Sequence, residues 1–387
     1  MKRVLWLASW YPNAANPFSG DFIKRQAEAL SLLQPLKVVF AGKHSGNDQR
    51  PTNSSDKVFT NLQEDILYYW PSSGHHFLSR IRSVFAYFNK HREYIRDLKK
   101  NNELPDIVHV HVAFRAGLIA LYLKWKYKIP YVLTEHWSGY YRNTQNSLFG
   151  KSMLEKFLVR KIIRHAAVLI TVSEALGNQI QKNWIPVPFL KIPNVVDTRF
   201  FYPEIKPKIT FRFIHISTLR YPKNPEAILR AFASLIKEGV QAELVLVGPP
   251  NPSLEKQAAE YRLTPGIIRF TGEITNVQVG QELRNSSASI LFSFYENMPC
   301  VILESLCSGV PVIATSVGGI HEVIGVENGI LVRAGDEVEL LAAMKTMMDK
   351  ADVYDREKIS RLASDLFSYK TVAREIQEVY KTVLKQK

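Results

Sequence analysis

Short apolar runs rich in β-branched residues alternate with longer amphipathic stretches along most of this chain. Residues 4–8 predict a buried strand, and residues 21–32 predict a helix with one apolar face. The same pattern predicts further strands at residues 36–41, 106–111, 130–134 and 167–172, and helices at residues 117–128 and 151–165. Because parallel strands need long crossover connections, this alternation predicts a mostly parallel, doubly wound α/β sheet.

The alternation is interrupted by a proline-rich segment and then begins again. The pattern breaks at residues 192–194 and again at residues 202–207, where Pro193, Pro203 and Pro207 and few apolar side chains indicate a linker. Further strands are predicted at residues 211–217, 243–247, 267–270, 288–294, 312–315 and 329–332. A chain of 387 residues is long enough for two domains. We therefore predict domains at 1–203 and 204–367, followed by a helical segment at 368–387.

Composition indicates a globular protein with an excess of positive charge. Hydrophobic residues make up 46% of the chain, charged residues 22%, and the formal net charge is +14. No run approaches the roughly 18 apolar residues that span a bilayer. The short apolar start is closed by Tyr11 and Pro12 without a cleavage site, so we expect a cytoplasmic protein. The charge suits an anionic partner: a nucleotide, a nucleic acid or an acidic lipid surface.

Two segments are polar or basic enough to need separate interpretation. Residues 42–65 are polar and irregular, which predicts a loop. Residues 77–100 combine Arg and Lys with Phe, Leu, Ile and Tyr, which is typical of a basic amphipathic helix. Such a helix can lie on an anionic membrane, or it can pack its apolar face into the core of the first domain. The sequence leaves both interpretations open.

Cysteine and histidine spacing gives little support for a metal site. Cys300 and Cys307 are seven residues apart, which is neither a disulfide framework nor a zinc spacing, so we expect two reduced thiols in one helix. His109 and His111 could form a metal pair on one strand, but without a third ligand a structural or cleft-wall role is favoured. No Asp-x-Asp sequence occurs, so a metal bound by that arrangement is not expected.

The most informative stretch is residues 293–315. A strand ends near Phe294, Pro299 takes the first helical position that proline favours, and Gly309 closes the helix. The N–H groups that open such a helix face the carboxyl edge of the sheet and suit a diphosphate. Glu304, within that helix, can accept hydrogen bonds from a ribose diol, and Glu296 precedes the helix at the same edge.

The Glu296–Glu304 pair, with seven residues between its members, lies in a stretch that resembles the retaining GT-B glycosyltransferases of family 4, the group 1 transferases. Nearly the whole chain shares the resemblance. The matching motifs are Pro12–Gly20 with Gln26, Thr134-Glu-His136, Ser173-Glu174, Pro193-Asn194 with Asp197, Ser217–Asn224, and Gly318-Gly319 with Glu322. The resemblance implies two Rossmann-like domains facing a cleft, with the donor held mainly by the second. It also implies that the final helix crosses back onto the first domain.

The family's functional residues carry over position by position. Glu304 would bind the ribose, Glu296 the transferred sugar, and Lys223 the diphosphate. His136 would reach the donor sugar, and Gly20 would let backbone approach the phosphate. The remaining donor contacts implied are the backbone around Glu296, namely Asn297, Met298, Pro299, Cys300 and Val301. Cations and N–H dipoles at the diphosphate would stabilise the charge of the leaving group.

Two positions depart from the family pattern. Thr218 stands where the family has an arginine, which removes a phosphate-binding guanidinium, and Arg220 is placed to substitute for it. Val195 replaces the family's glycine after Asn194. These departures bear on the phosphate contacts and leave the fold prediction unchanged.

The resemblance implies no cofactor and a nucleoside diphosphate sugar as donor, with UDP or GDP preferred. A glycan or a lipid-linked molecule is the expected acceptor, and the charge allows an anionic membrane surface as a further partner. Two alternatives stay open: a sugar-nucleotide epimerase or phosphorylase on the same fold, and a basic nucleic-acid-binding protein. The second is disfavoured because no aromatic–basic motif of the known RNA-binding types occurs.

Overall fold

The computed structural model describes residues 2–43, 59–70, 77–204 and 210–385. The chain forms two compact units: Met1–Pro193 with Val372–Lys387 make up unit 1, and Asn194–Thr371 make up unit 2. The units divide at Pro193, whereas the predicted boundary lay at residue 203. The chain re-enters unit 1 at Val372, within the predicted terminal segment 368–387.

Unit 1 is built on a seven-stranded sheet in the order β3-β2-β1-β4-β5-β6-β7, with every pair parallel. Its strands are β1 (Val4–Ala8), β2 (Leu36–Lys43), β3 (Leu62–Tyr69), β4 (Ile107–His111), β5 (Tyr131–Glu135), β6 (Val168–Thr171) and β7 (Phe189–Lys191). The crossover helices are α1 (Asp21–Ser31), α2 (Phe77–Lys100), α3 (Ala116–Tyr127), α4 (Met153–His165) and α5 (Glu174–Asn183). Strands β1, β4 and β5 are buried along their whole length, as expected for a parallel sheet covered on both faces.

Unit 2 is built on a six-stranded parallel sheet in the order β10-β9-β8-β11-β12-β13. Its strands are β8 (Phe211–Ile216), β9 (Ala242–Val247), β10 (Ile268–Phe270), β11 (Ala288–Leu291), β12 (Val312–Thr315) and β13 (Gly329–Val332). Its helices are α6 (Pro225–Lys237), α7 (Pro252–Glu260), α8 (Asn276–Asn285), α9 (Cys300–Cys307), α10 (Glu337–Asp349) and α11 (Arg356–Phe367). Phe213, Phe232 and Met344 are fully buried in the core of this unit.

The last helix, α12 (Tyr369–Lys385), joins the two units in sequence. Its buried face includes Val372, Ile376 and Tyr380. The Trp6 Nε1–H of β1 donates to the Tyr380 hydroxyl at 2.9 Å, so α12 is tied to an interior strand of the unit 1 sheet.

Strand order predicts where each unit can hold a ligand. In unit 1 the order reverses between β1 and β4, and in unit 2 it reverses between β8 and β11. The loops that leave the carboxyl ends of two such strands turn to opposite sides and open a crevice, which is where doubly wound sheets bind ligands. Each unit therefore has a structurally defined candidate location.

Three local predictions need correction. Part of the predicted loop at residues 42–65 is strand: β2 runs to Lys43, and β3 begins at Leu62 and pairs along β2. Residues 44–58 lie outside the described residues. Strand β11 ends at Leu291, not near Phe294, and Pro299 is the N-cap of α9, not its first helical residue. Among the described residues, no helix is both long and apolar enough to cross a membrane.

Candidate active site

The loop that follows β11, residues 292–299, lies at the switch point of unit 2 and carries Glu296. The Ser293 hydroxyl donates to Glu296 Oε1 at 2.8 Å, and the Thr315 hydroxyl of β12 donates to the Ser293 carbonyl at 2.7 Å. Two neighbouring strands thus fix the position of the Glu296 carboxylate. Because the carboxylate is only slightly exposed, these contacts and not solvent fix its orientation.

The loop that follows β8 brings Lys223 to the same point. Lys223 Nζ donates to Glu296 Oε1 in a short ion pair, and the Phe294 N–H donates to the Pro222 carbonyl at 2.9 Å. Both members of the ion pair are mostly shielded from solvent. The structure therefore brings together two predicted catalytic residues, and a diphosphate bound by Lys223 would compete with Glu296 for the ammonium group.

The backbone around Asn297 and Met298 is held by residues that the sequence analysis did not place in the site. The Gly319 N–H donates to the Asn297 carbonyl at 2.8 Å, and Asn194 Nδ2 donates to the Met298 carbonyl at 2.7 Å. Gly318 has φ +55°, and a Cβ there would lie 1.9 Å from the Glu296 carbonyl oxygen. Only glycine fits such a close backbone approach. Asn194 and the Gly318-Gly319 pair therefore have a structural role, because they fix the backbone of the loop that carries Glu296.

Helix α9 begins directly after this loop. Met298 and Pro299 are buried, Cys300 and Val301 are half-buried, and Glu304 is buried one turn into the helix. A helix leaves its first N–H groups without partners inside the helix and carries positive potential there, which favours a phosphate. Cys307 is also buried, and burial raises its thiol pKa to about 12, with the Glu304 carboxylate adding to the shift. Cys307 is therefore a neutral core thiol, and Glu304 lies close enough to influence it.

The turn that carries Thr218 and Arg220 is anchored by a buried histidine. Both side chains are exposed, and between them Leu219 is buried with φ +51°. The Leu219 N–H donates to Ser217 Oγ at 2.9 Å, and Ser217 Oγ lies 2.7 Å from His215 Nε2. His215 Nδ1 donates to the Ile290 carbonyl at 2.8 Å, so Nε2 is the acceptor of the serine proton. Burial lowers the pKa of His215 to about 4, which keeps this arrangement at neutral pH.

In unit 1, Gly20 is the N-cap of α1 and closes the loop that follows β1. Its φ is +67°, and a Cβ there would lie 2.6 Å from the carbonyl carbon and oxygen of Trp10. The chain therefore requires glycine here for its own backbone packing. The predicted contact of Gly20 with phosphate stays a prediction.

His136 follows β5 in unit 1 and is buried beside the Phe22 ring, with a centroid distance of 4.8 Å. His111 Nδ1 lies 3.2 Å from His136 Nε2. Burial lowers the pKa of His111 well below its ordinary value, so His111 is neutral. One nitrogen of this contact must carry the proton and the other must accept it, so the tautomers of the two rings are coupled.

His109 belongs to a chain of hydrogen bonds, which favours its structural role over the metal pair. The Tyr380 oxygen accepts from the Trp6 indole N–H, which can only donate, and lies 2.6 Å from His109 Nδ1. His109 Nε2 lies 2.6 Å from Thr134 Oγ1. Burial lowers the pKa of His109 to about 3, which keeps it neutral. Both of its nitrogens are engaged in holding α12 to β5.

Glu135 was not predicted, yet its buried carboxylate organises the turn after His136. Glu135 Oε1 accepts from the Ala113 N–H at 2.7 Å and from the Tyr140 hydroxyl at 2.8 Å. Burial raises the pKa of Glu135 to about 7, with these hydrogen bonds opposing the shift. Its signal in the sequence was its position between Thr134 and His136, at the end of a fully buried strand.

Comparison with known proteins agrees with this description. Residues 39–200 match the family model described as Glycosyltransferase Family 4, and residues 210–350 match the model described as Glycosyl transferases group 1. The chain is 24% identical to TuaC of Bacillus subtilis, which is named for teichuronic acid biosynthesis, over 99% of each protein. It is 26% identical to a glycogen synthase of Mycobacterium tuberculosis, over 98% of this chain and 94% of that protein.

Solved structures share the fold across the whole chain. Sucrose-phosphate synthase from Thermosynechococcus elongatus superposes with a TM-score of 0.82 at 18% identity, covering 100% of both chains. Anabaena HepE, solved in complex with UDP, has a TM-score of 0.75 at 17% identity, covering 99% of this chain and 100% of that one. Together with the two family models, these likenesses lead to one assignment: this chain is a GT-B glycosyltransferase that belongs to family 4, the group 1 transferases.

Proposed function

We propose that this glycosyltransferase moves a sugar from a nucleoside diphosphate sugar to a hydroxyl acceptor with retention of anomeric configuration. The observation that carries the proposal is the Lys223–Glu296 ion pair at the switch point of unit 2, directly before α9. A cation and a helix N-terminus at such a point suit a diphosphate. The HepE structures with UDP and with UDP-glucose support a uridine nucleotide as the first donor to test, with a guanosine nucleotide second.

The proposed chemistry makes one bond and breaks one. The acceptor oxygen bonds to the anomeric carbon, the bond from that carbon to the diphosphate oxygen breaks, and the acceptor proton leaves with the diphosphate. Negative charge grows on the leaving diphosphate, so Lys223 and the first turn of α9 stabilise the transition state more than the ground state. Glu304 is the proposed ribose ligand, and Glu296 the proposed contact of the transferred sugar.

Three further assignments belong to this proposal. Transfer proceeds without a metal, because Lys223 supplies the positive charge and the sequence has no Asp-x-Asp. His136 is the proposed catalytic contact of the donor sugar, and Thr218 and Arg220 are proposed donor contacts. No cofactor is required.

The proposed acceptor is a growing surface glycan or a lipid-linked molecule at the cytoplasmic face of an anionic membrane. TuaC is named for a teichuronic acid, and a 28% identical relative from Streptococcus pneumoniae is named an alpha-monoglucosyldiacylglycerol synthase. That second similarity covers 66% of this chain and 63% of the relative. The net charge of +14 favours an anionic surface as a partner.

Family membership favours transfer over the alternatives of an epimerase, a phosphorylase or a nucleic-acid-binding protein. Incubation with UDP-glucose and a panel of glycan and lipid acceptors tests the proposal, with the product linkage determined by NMR. We expect UDP release that depends on acceptor, an α-linked product, and activity that persists in a chelator. Three results would overturn the proposal. They are conversion of UDP-glucose to an isomeric UDP-sugar without acceptor, a requirement for inorganic phosphate, and a β-linked product.

A further inference from the structure

Helix α4 has apolar side chains on two opposite faces, and only one of them is covered. Val159, Ile162 and Ile163 are buried against unit 1. On the other side, Met153 is 75% exposed, Leu154 65% and Phe157 57%. A surface helix of a globular protein normally presents polar residues on that side. The exposed face of α4 therefore suits a partner that is itself apolar.

Helix α3 extends this exposed face. Its Trp125 is 48% exposed and lies beside Lys161 of α4, whose Nζ is 4.8 Å from the Trp125 ring centroid and 5.7 Å from that of Phe157. Lys124 Nζ donates to the His165 carbonyl at 2.7 Å, which fixes α3 against the end of α4. We define the α3–α4 patch as Trp125, Met153, Leu154, Phe157, Lys161 and Arg164.

The two segments that carry the α3–α4 patch are strongly basic. Residues 112–128 contain no carboxylate, and residues 151–165 contain only Glu155, which is used in the capping box of Ser152. The same two segments carry Arg115, Lys124, Lys126, Lys128, Lys151, Lys156, Arg160, Lys161 and Arg164. Apolar and aromatic side chains surrounded by Lys and Arg match the headgroup boundary of an anionic bilayer, where Trp and Phe enter and cations meet phosphates.

Helix α2, the segment that the sequence singled out for membrane contact, is less suited to it. Among the side chains of this helix that the structure describes, Tyr87, His91, Ile95 and Leu98 are buried within unit 1. Val84 and Phe85 are exposed, but Glu93 and Asp97 interrupt its basic side. The core interpretation therefore accounts for Tyr87, Ile95 and Leu98, whereas the side chains of Phe77, Leu78 and Ile81 lie outside the described residues.

We propose that the α3–α4 patch is the surface by which unit 1 docks on an anionic lipid bilayer. This inference rests on the proposed membrane partner and adds the surface that makes the contact. Apolar insertion and phosphate attraction act together here, so binding requires both the exposed apolar side chains and the cations. Binding to anionic lipid falls as salt rises, because salt screens the cations.

Co-sedimentation with phosphatidylglycerol vesicles and with phosphatidylcholine vesicles tests the proposal. At low salt we expect wild type to bind phosphatidylglycerol and not phosphatidylcholine. Leu154→Ser with Phe157→Ser lowers the partition coefficient about tenfold or more, and Lys161→Gln with Arg164→Gln lowers it by roughly fivefold per charge. The matched control, Val84→Ser with Phe85→Ser in α2, keeps wild-type binding. Lys161 is half-exposed and the other five substituted positions are exposed, so circular dichroism and melting temperature stay close to wild type.

Two results overturn the proposal: wild type that fails to bind phosphatidylglycerol vesicles at low salt, or binding lost in the α2 variant and kept in the α4 variant. Sugar transfer to a soluble acceptor, measured on the same proteins without vesicles, separates this failure from failure of the proposed function. We expect that transfer to be unchanged in every patch variant.

Discussion

Lys223 and Glu296 are 73 positions apart in the sequence and form an ion pair in the fold. Local pattern alone could not predict this contact, because it depends on which loops meet at the switch point of a sheet. The resemblance placed both residues in the site, and the structure adds that Ser293 holds the carboxylate toward the lysine. A buried pair of this kind loses more when one partner is removed than an exposed pair does.

Glu296→Gln separates the role of Glu296 in sugar transfer from the role of Lys223 in binding the diphosphate. The change removes the carboxylate that competes for Lys223, so we expect nucleoside diphosphate affinity to stay equal or to rise. We expect kcat to fall by about a hundredfold, the scale of losing one transition-state contact. Calorimetry gives the affinity, and initial rates give kcat. The control Glu337→Gln breaks the exposed Arg230 pair and leaves both values unchanged. An unchanged kcat with weakened nucleotide binding would contradict the assignment.

At the scale of elements, the central strands of both sheets and the edge strands β10 and β13 of unit 2 were predictable, whereas the edge strands β3 and β7 of unit 1 were not. Strands β1, β4, β5, β8 and β12 are short runs in which apolar residues predominate, and their positions agree with prediction to within about two residues. Strand β3 reads Leu-Gln-Glu-Asp-Ile-Leu-Tyr-Tyr and lies at a half-buried edge, where polar residues are tolerated, so its pattern resembled a loop. The three-residue β7 is too short for any period to be visible.

Gly318→Ala tests whether the β12–β13 connection supports the Glu296 loop. An added Cβ would collide with the Glu296 carbonyl, and the positive φ adds strain, so we expect a loss of about 2 kcal/mol or more in the free energy of unfolding. Nucleotide affinity should fall with it, because the loop must move. Gly325→Ala is the matched control, since nothing lies within 4 Å of its Cβ position. Equal melting temperatures for the two variants would refute the role of Gly318.

Tyr380→Phe tests the hydrogen-bond chain that ties α12 to unit 1. Trp6 and His109 would both lose their partner in a buried setting, and we expect unfolding to become easier by about 1–3 kcal/mol. Urea unfolding measures this change. Tyr261→Phe, at an exposed tyrosine, is expected to change stability by less than about 0.5 kcal/mol. If Tyr380→Phe changed the free energy of unfolding as little as Tyr261→Phe, these hydrogen bonds would make no net contribution to stability.

For the whole molecule, the buried histidines predict acid sensitivity. Burial lowers the pKa of His91 to about 4, of His109 to about 3 and of His215 to about 4, and that of His111 well below its ordinary value. The unfolded imidazoles take up protons below about pH 6.5, whereas the folded ones do not. Their contribution to stability is therefore present above pH 6.5 and is lost as pH falls toward 4.

Glu135 acts in the opposite direction. Its folded pKa of about 7 lies above that of an unfolded carboxyl, so its contribution is complete at low pH and is lost as pH rises through 7. At pH 5.5 the four histidines take up more protons on unfolding than Glu135 releases, so we expect a net uptake of roughly two to three protons. Calorimetry in buffers of different ionisation enthalpy measures this number. Proton release on unfolding at pH 5.5 would contradict the burial of these histidines as described.

For the whole molecule too, contacts between residues distant in the sequence could not be predicted from local pattern. The doubly wound fold follows from period and spacing, which the sequence carries locally, and the residues in its motifs follow from the resemblance to family 4. Tyr380 pairs with His109 across 271 positions, and Asn194 reaches Met298 across 104, so these supports emerge only from the folded chain. His215 lies outside the motifs, and Glu135 lies in the Thr134–His136 motif without an assigned role, so burial is what identifies both residues.

The most direct test of the central claim is a calorimetric titration with UDP, GDP and ADP on wild type, on Glu304→Ala and on the exposed-site control Glu255→Ala. A ligand that binds the folded state stabilises it, by about 2.7 kcal/mol at a hundred times its Kd. We predict that one nucleotide binds wild type and the control, and that Glu304→Ala abolishes binding while keeping its melting temperature. Wild type that binds none of the three, or Glu304→Ala that binds as tightly as wild type, would contradict a nucleotide site at the start of α9.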